Sequence, residues 1–508
     1  MRKYDYIVVG GGTAGCVLAA RLSEEPDARV LLLEAGAADG PPAMRVPSAW
    51  PTLGGTVVDW GFTTVPQIAL GGAVLPYPRG RVLGGSSAIN AMAHIRAYRS
   101  TYDQWAADGA DGWSYADLLP YFRRSETVDG RDPDFRGTDG PMRIEAISVR
   151  HPAAVDCLAA FRECGHPVTE DLNGAEQEGA CWYDRNIVDG GRQSAADAYL
   201  RPVLGRPNLT VRTDALVLRL TFAGDRCTGV EYVHPGDAGE VHKVEAGVET
   251  ILSAGAIGSP HLLQLSGIGP SDALRIHGIT VVADLPAVGA NLADHPIGGV
   301  VYSAPGALPA GQNNHFDLLA ALRSDPGLLA PDLHILFCDV PLVPPGFTGP
   351  EHGFTIEYTL LRPHSRGSVR LASSDPATAP LIDPAFLVDE RDLAAMLSGL
   401  DLAREIGGAR ALAKWRKEEL LPGSSVDTEA SKRDFVLRTT GTYFHGVGTC
   451  RMGAGPDTVT GPELRVHGID GLRVVDASIM PSIPASNTNA TVLAIAERAA
   501  DVIRGARA

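Results

Sequence analysis

The sequence predicts an α/β protein organised on an N-terminal β-α-β unit, and three observations predict that class. Tyr6-Ile7-Val8-Val9 is a short apolar strand that runs at once into Gly10-Gly11-Gly12-Thr13-Ala14-Gly15. Val17, Leu18, Arg21 and Leu22 then recur at helical spacing as far as Glu24-Glu25-Pro26. Arg29-Val30-Leu31-Leu32-Leu33 is a second buried strand, and it ends on Glu34, 19 residues after Gly15. Each position has a physical reason. Gly10 turns the chain, Gly12 lets a pyrophosphate approach the backbone, and Gly15 lets helix and strand pack closely. The helix N-terminus offers unpaired N–H groups to the phosphates. Glu34 falls where a carboxylate accepts both ribose hydroxyls, so a 2′-phosphate would be repelled. The contacts expected here are Gly10, Gly12, Thr13, Ala14, Gly15, Glu34 and Ala35; the motif alone does not choose between NAD and FAD.

Composition narrows the class further. The 508 residues hold material for two or three domains. Hydrophobic residues make up 44% and charged residues 20%, the balance of a globular enzyme and not of a disordered chain. A formal charge of −16 argues against nucleic acid or an anionic membrane as partner. The seven cysteines (Cys16, Cys157, Cys164, Cys181, Cys227, Cys338, Cys450) form no C-x-x-C pair and are odd in number, which argues against a disulfide framework or a zinc site. No metal is expected. The first strand starts within about five residues of Met1, too close for a signal peptide. No run of about 18 apolar residues marks a membrane span. These features predict a reduced, cytoplasmic enzyme and leave its oligomeric state open.

Along the chain, residues 41–78 are rich in proline and glycine and read as an excursion over the surface of the first domain. Residues 78–92 pack glycines, hydroxyls and two arginines into one loop before a helix. Arg81, Val82, Gly84, Gly85, Ser86, Asn90, Ala91 and Met92 are its candidate contacts, because such a loop donates N–H groups to an anion and approaches a flat ring without side-chain interference. From Thr250 a strand runs into Ser253-Ala254-Gly255 and then a short helix ending at Ser266-Gly267. Residues 332–337 and 354–360 alternate apolar and polar, as strands with one covered face should. Residues 391–407 read as an amphipathic helix and 421–425 as a surface link.

The loop at 78–92 and the stretch from Gly255 to Gly269 resemble the paired signatures of the glucose-methanol-choline (GMC) oxidoreductases, flavoenzymes that oxidise alcohols. Further matches span nearly the whole chain: Gly137-Thr138-Asp139-Gly140-Pro141, Asn291-Leu292-Ala293-Asp294-His295-Pro296, Leu361-Arg362-Pro363-His364-Ser365-Arg366-Gly367, His445-Gly446-Val447-Gly448-Thr449-Cys450-Arg451-Met452-Gly453 and Leu472-Arg473-Val474-Val475-Asp476-Ala477-Ser478. The resemblance implies FAD as cofactor and a Rossmann-like FAD-binding domain assembled from residues 1–145, 192–300 and 436–508. An inserted α+β substrate domain with an antiparallel sheet takes 146–191 and 301–435. Two departures stand out. His94, Arg96 and Ala97 replace the usual aromatic and Arg-Gly, which places the pocket beside the flavin in question. Ile89 stands where covalently flavinylated members carry histidine, so FAD is expected to be held non-covalently. The resemblance also brings in Ala254, Gly255, Asp476 and Ala477, and Val217 as the position whose backbone holds adenine. A strand-end aspartate capping the next turn is an equal reading of Asp476.

Alcohol oxidation needs a base for the hydroxyl proton while hydride leaves the same carbon, and one neutral imidazole suffices. The resemblance assigns that base to His445 and its companion to Asn487, with Asn489 better suited to the N-cap of the last helix and the register open by two. A reference histidine pKa is about 6.5. His295, before Pro296, reads as a turn residue, and His334 as a residue that can point into the substrate cavity. Phe444 suits a flat aromatic alcohol, which predicts a neutral aryl or furan primary alcohol, oxidised to the aldehyde with O2 or another electron acceptor. Choline needs a cation site, for which Glu357 and Tyr358 are the candidates. A lyase that keeps FAD as a relic and a binding protein without turnover are the readings from other classes.

Overall fold

Uninterrupted β-branched and leucine runs need cover on both faces, and the chain provides it by burying its first strands at the centre of a parallel sheet. The computed structural model describes residues 4–237 and 239–505. Strands Leu209–Arg212, Val30–Leu33, Tyr4–Val9, Val241–Leu252 and Leu472–Val474 lie side by side in that order, all parallel. Val241–Leu252 is long enough to leave this sheet at its N-terminal end, where it pairs antiparallel with Arg226–Val233, which pairs in turn with Leu216–Ala223. Helix Thr13–Leu22 packs between the sheet and helix Asn489–Gly505, burying Ala14 to Ala20 almost completely. Buried Glu497 on the last helix accepts from Arg21, Arg124 and Tyr199, each at 2.8 Å, and so ties the C-terminal piece to the N-terminal one.

A second sheet is antiparallel throughout, in the order Glu418–Leu421, Pro296–Ser303, Gly353–Leu360, Leu333–Cys338, Phe316–Leu322, Gly179–Cys181. Gly441–Thr442 adds to Pro296–Ser303. The expected boundary at residue 300 therefore cuts a strand, and this sheet starts at Pro296. Both faces of Leu333–Cys338 and Gly353–Leu360 are covered, where the alternation predicted one. One face, with Ile335, Phe337, Ile356 and Tyr358, packs on helices Glu390–Gly408 and Pro152–Glu163. On the other face His334, Thr355 and Thr359 are buried, Thr355 Oγ1 meeting Leu342 N and Val340 O and Thr359 Oγ1 donating to Pro296 O, while Glu357 keeps some accessible surface. The loop at 78–92 contains only the 3-10 turn Gly85–Ala88, and the next α-helix begins at Arg99. Its backbone is held down on the glycine turn, Gly84 N donating to Gly11 O at 2.7 Å.

Candidate active site

The glycine turn builds one half of the site. Gly15 is required by contact: a Cβ there would stand 1.8 Å from the Gly10 carbonyl oxygen. Gly12 caps helix Thr13–Leu22 without a side chain, and a Cβ on it would meet nothing nearer than 4.0 Å, so the helix N-terminus opens onto free space. Gly255, at the start of the helix Gly255–Leu265, is equally open. At the end of the second strand Glu34 accepts from Gly11 N at 2.7 Å and Gly36 N at 2.8 Å, and burial raises its carboxyl to about 7. Ala35 follows it, and Ala215 N donates to Glu34 O, which brings Val217 to the same corner. In the overlying loop, Val82 bridges to Ala37, Ser86 Oγ accepts from Gly80 N, and the exposed Arg81 stacks on Trp60 with a favourable field at Glu34. Asn90 Oδ1 receives Met92 N and Arg192, which holds Ala91 and Met92 in place.

The other half comes from the C-terminal piece. Asp476 is engaged by the chain itself: its carboxylate receives Ser478 N, Gly255 N and Ser259 Oγ, clamping the strand end to the Gly255 helix with Ala477 in the turn. The turn-capping reading is the one its geometry satisfies. Asn489 is the first residue of the last helix, and Thr488 takes the cap position with its carbonyl receiving Val492 N, one place from the expectation. Asn489 Oδ1 instead accepts from Thr13 Oγ1 at 2.9 Å, joining both helix N-termini. Asn489 Nδ2, Asn487 Oδ1 and Ser486 Oγ are buried without a partner. Open glycines, an uncapped helix start, a strand-end carboxylate and orphaned amide groups fit a dinucleotide bearing a polar ring.

His445 stands beside these orphaned groups, with Asn487 Nδ2 3.3 Å from its Nε2. His295 is a buried partner of His445 and not the turn residue its Pro neighbour suggested: the two Nδ1 atoms are 2.9 Å apart. One of them must carry a proton. His295 Nε2 lies 3.0 Å from the Leu361 carbonyl, which only accepts, and burial lowers the His295 pKa to about 3, so this neutral ring carries its hydrogen on Nε2. His445 therefore donates from Nδ1 to His295, and its Nε2 presents a lone pair to Asn487 and the site. Burial, with the nearby His295, Arg79 and His334, holds His445 well below the usual histidine pKa, so it is neutral far below pH 6.5. Asp294 ties the two backbones together, one carboxylate oxygen receiving the backbone N–H groups of His295 and His445 at 2.8 Å each. Its other oxygen receives Thr442 Oγ1 at 2.6 Å. No spacing signal linked residue 295 to 445; the Pro296–Thr442 pair, the Ala293–Val447 bridge and Tyr443 N donating to His295 O join their segments.

The remaining predicted positions divide. His334 is 1% exposed with Nδ1 unpartnered, and it lines a cavity of about 10 Å³ with Arg96, Gln177 and Ser486. Phe444 is 44% exposed at φ 66°, and the ring packed on His445 is that of Tyr443, 4.4 Å away between centroids. His94 does not shape the pocket. Its Nε2 meets Glu126 at 2.7 Å in a buried network with Arg96 and Arg136. Among the described residues no cluster of His, Cys, Asp or Glu is placed to hold a metal, and no helix is long and apolar enough to cross a membrane.

A parallel dinucleotide-binding sheet, joined to an antiparallel substrate sheet over a neutral histidine and an asparagine, defines a flavin-dependent oxidoreductase acting on CH–OH groups. The chain belongs to the GMC oxidoreductase family, whose models match residues 4–297 and 363–496, and FAD is its cofactor. Mitochondrial choline dehydrogenase of Homo sapiens is 40% identical over 99% of this chain and 90% of that protein. The crystal structure of pyridoxine 4-oxidase from Mesorbium loti superposes with a TM-score of 0.95 at 38% identity, covering 98% of this chain and 99% of that one. A fungal aryl-alcohol oxidase superposes at 0.87 with 26% identity, each chain covered completely.

Proposed function

We propose that the chain oxidises a primary alcohol to the aldehyde, with His445 as the base. The observation that carries this reading is the contact geometry, His295 Nε2 at 3.0 Å from Leu361 O and the two Nδ1 atoms 2.9 Å apart, from which a lone pair on Nε2 of His445 follows. The substrate hydroxyl donates to that nitrogen and accepts from the Asn487 amide. Its proton passes to Nε2 as the C–H bond on the same carbon breaks. FAD, held by the glycine turn and the overlying loop, would supply the hydride acceptor, with O2 as the final oxidant. His295 keeps the imidazole from turning during the transfer, and Asp294 holds the backbone that carries it.

Two features support a ring-bearing alcohol such as an aryl or furan methanol: the Tyr443 ring against His445 and the exposed Phe444 ring on the same loop. The likeness to a pyridoxine 4-oxidase and an aryl-alcohol oxidase supports both this class and O2 as acceptor. A second reading, a choline-type enzyme using another acceptor, is favoured by the 40% identity to a choline dehydrogenase. Anaerobic mixing with benzyl alcohol, hydroxymethylfurfural and choline, followed by air, tests these readings. Bleaching by an alcohol and recovery in air with peroxide release are expected. An unreduced flavin with every alcohol overturns the proposal, and bleaching that air does not reverse assigns a different acceptor.

A further inference from the structure

Arg96 Nε, His334 Nδ1 and Ser486 Oγ are buried with no hydrogen-bond partner among the described residues, and all three side chains line the same cavity of about 10 Å³. They come from three separate stretches of the chain. Arg96 follows the loop at 78–92, His334 lies on Leu333–Cys338 opposite Ala321 and Thr359, and Ser486 directly precedes Asn487. His334 and Ser486 are each 1% exposed and Arg96 is 2% exposed, so bulk solvent does not serve these atoms. The other nitrogens of Arg96 are already engaged, Nη1 with Phe135 O and Nη2 with Glu126, at 2.6 Å each. Gln177, also in the wall, has its amide committed to Ala97 O, Leu172 O and Arg99 N. Buried polar groups are costly unless something completes them, and a space of about 10–15 Å³ holds one water.

We propose that this cavity is the binding site of a single water molecule, and that His334 and Ser486, joined by that water, position the Asn487 amide against His445. The positioning role rests on the reading of His445 and Asn487 as the alcohol-oxidising pair; the water site does not. Donors and acceptors balance on water. Arg96 Nε carries a hydrogen and only donates, so the occupant accepts there. Burial, with the nearby His295, holds the His334 pKa down at about 3, and the neutral ring offers a lone pair on Nδ1 when its hydrogen is on Nε2. The water then gives its own two hydrogens to His334 Nδ1 and Ser486 Oγ, which makes about three bonds, the usual count for a buried water. Ser486 N donates to Pro484 O, so the turn before Asn487 is held through its backbone, and the water holds it through its side chain. Asn487 Nδ2, 3.3 Å from His445 Nε2, is the group whose place this fixes.

The test starts from crystals of the FAD-loaded enzyme that diffract well enough to show ordered water. A peak within about 3.2 Å of Arg96 Nε, His334 Nδ1 and Ser486 Oγ is expected. No peak there, or one that bromide replaces on soaking, overturns the water site. His334→Leu removes the acceptor: it should lose the peak, keep its FAD and lower the limiting rate of anaerobic flavin reduction by about fivefold or more, with apparent substrate affinity changed by less than about twofold. The substrate for this is the alcohol that bleaches the wild type fastest. Ser486→Ala should move the rate in the same direction. His334→Asn, whose Oδ1 falls near the place of Nδ1, should regain the water and most of the lost rate. A purely structural joint would lower the melting temperature of these variants and leave the limiting rate alone, and that result overturns the positioning role. So does a rate lost in His334→Leu and kept in Ser486→Ala, which would mark His334 as a direct substrate contact. If no alcohol reduces the wild-type flavin, the reading of His445 falls, the peak still decides the water, and an Asn487 side chain that stays on His445 in crystals of His334→Leu counts against positioning.

Discussion

A single proton position organises the catalytic residues. Removing the base costs about 10²–10⁴ in rate for general-base chemistry. His445→Ala should therefore keep its FAD and reduce it that much more slowly, and a wild-type reduction rate in the variant would place the base elsewhere. Asn487→Ala should lose less, since an amide positions the hydroxyl without taking its proton. Because burial depresses the His445 pKa, the charged form is suppressed, and flavin reduction by a neutral alcohol should stay level as pH falls through 6.5. His295→Leu removes the acceptor that holds the His445 proton on Nδ1. Reduction should then slow by about tenfold or more, with an acid limb moving up toward the ordinary histidine range. An unaltered pH profile would limit His295 to packing.

At the scale of elements, the glycine turn and the end of the second strand act together through Glu34. Its two oxygens hold Gly11 N and Gly36 N, and the ribose hydroxyls are expected to donate to the same carboxylate. Each charge-assisted bond contributes about 1.5–3 kcal/mol, so Glu34→Ala should weaken FAD binding by at least about tenfold in apoprotein titrations. The sign of its pH dependence follows from the raised carboxyl, about 7 against an ordinary 4.5. Ribose hydroxyls donate to the ionised form, so FAD affinity should rise between pH 6 and 8 in the wild type and stay flat in Glu34→Gln. Ile89, 8% exposed within the loop at 78–92, has no nucleophilic side-chain atom to bond a flavin. Acid precipitation should release yellow FAD into the supernatant, whereas colour in the pellet would reveal a covalent link.

For the whole molecule, the most concentrated charge lies away from the reacting groups. Glu126 receives His94, Arg96 and Arg136, and Arg136 also reaches Asp171 and Asp184 on the inserted segment. The network fastens the segment carrying His94, Glu126 and Arg136 to the one carrying Asp171 and Asp184. Removing one member of a buried charge pair costs about 3–5 kcal/mol because the other stays buried and unpaired. Glu126→Leu should thus destabilise the holoprotein by that order in urea unfolding, and a loss below about 1 kcal/mol would mean that water or a shifted side chain replaces the carboxylate.

The sequence by itself determined what is local or periodic: the β-α-β unit, the spacing from Gly15 to Glu34, the amphipathic helix near 391–407 and the family motifs. In each, a glycine or an apolar period carries its structural reason within some 20 residues. Only the tertiary structure decided what depends on residues far apart in the chain. His295 and His445 meet because Pro296 pairs with Thr442, and no local pattern encodes that register. Glu357 read as a polar position in a strand with one covered face and as a candidate for a choline cation site. Packing buries the rest of that strand on both faces, and Glu357 alone keeps accessible surface.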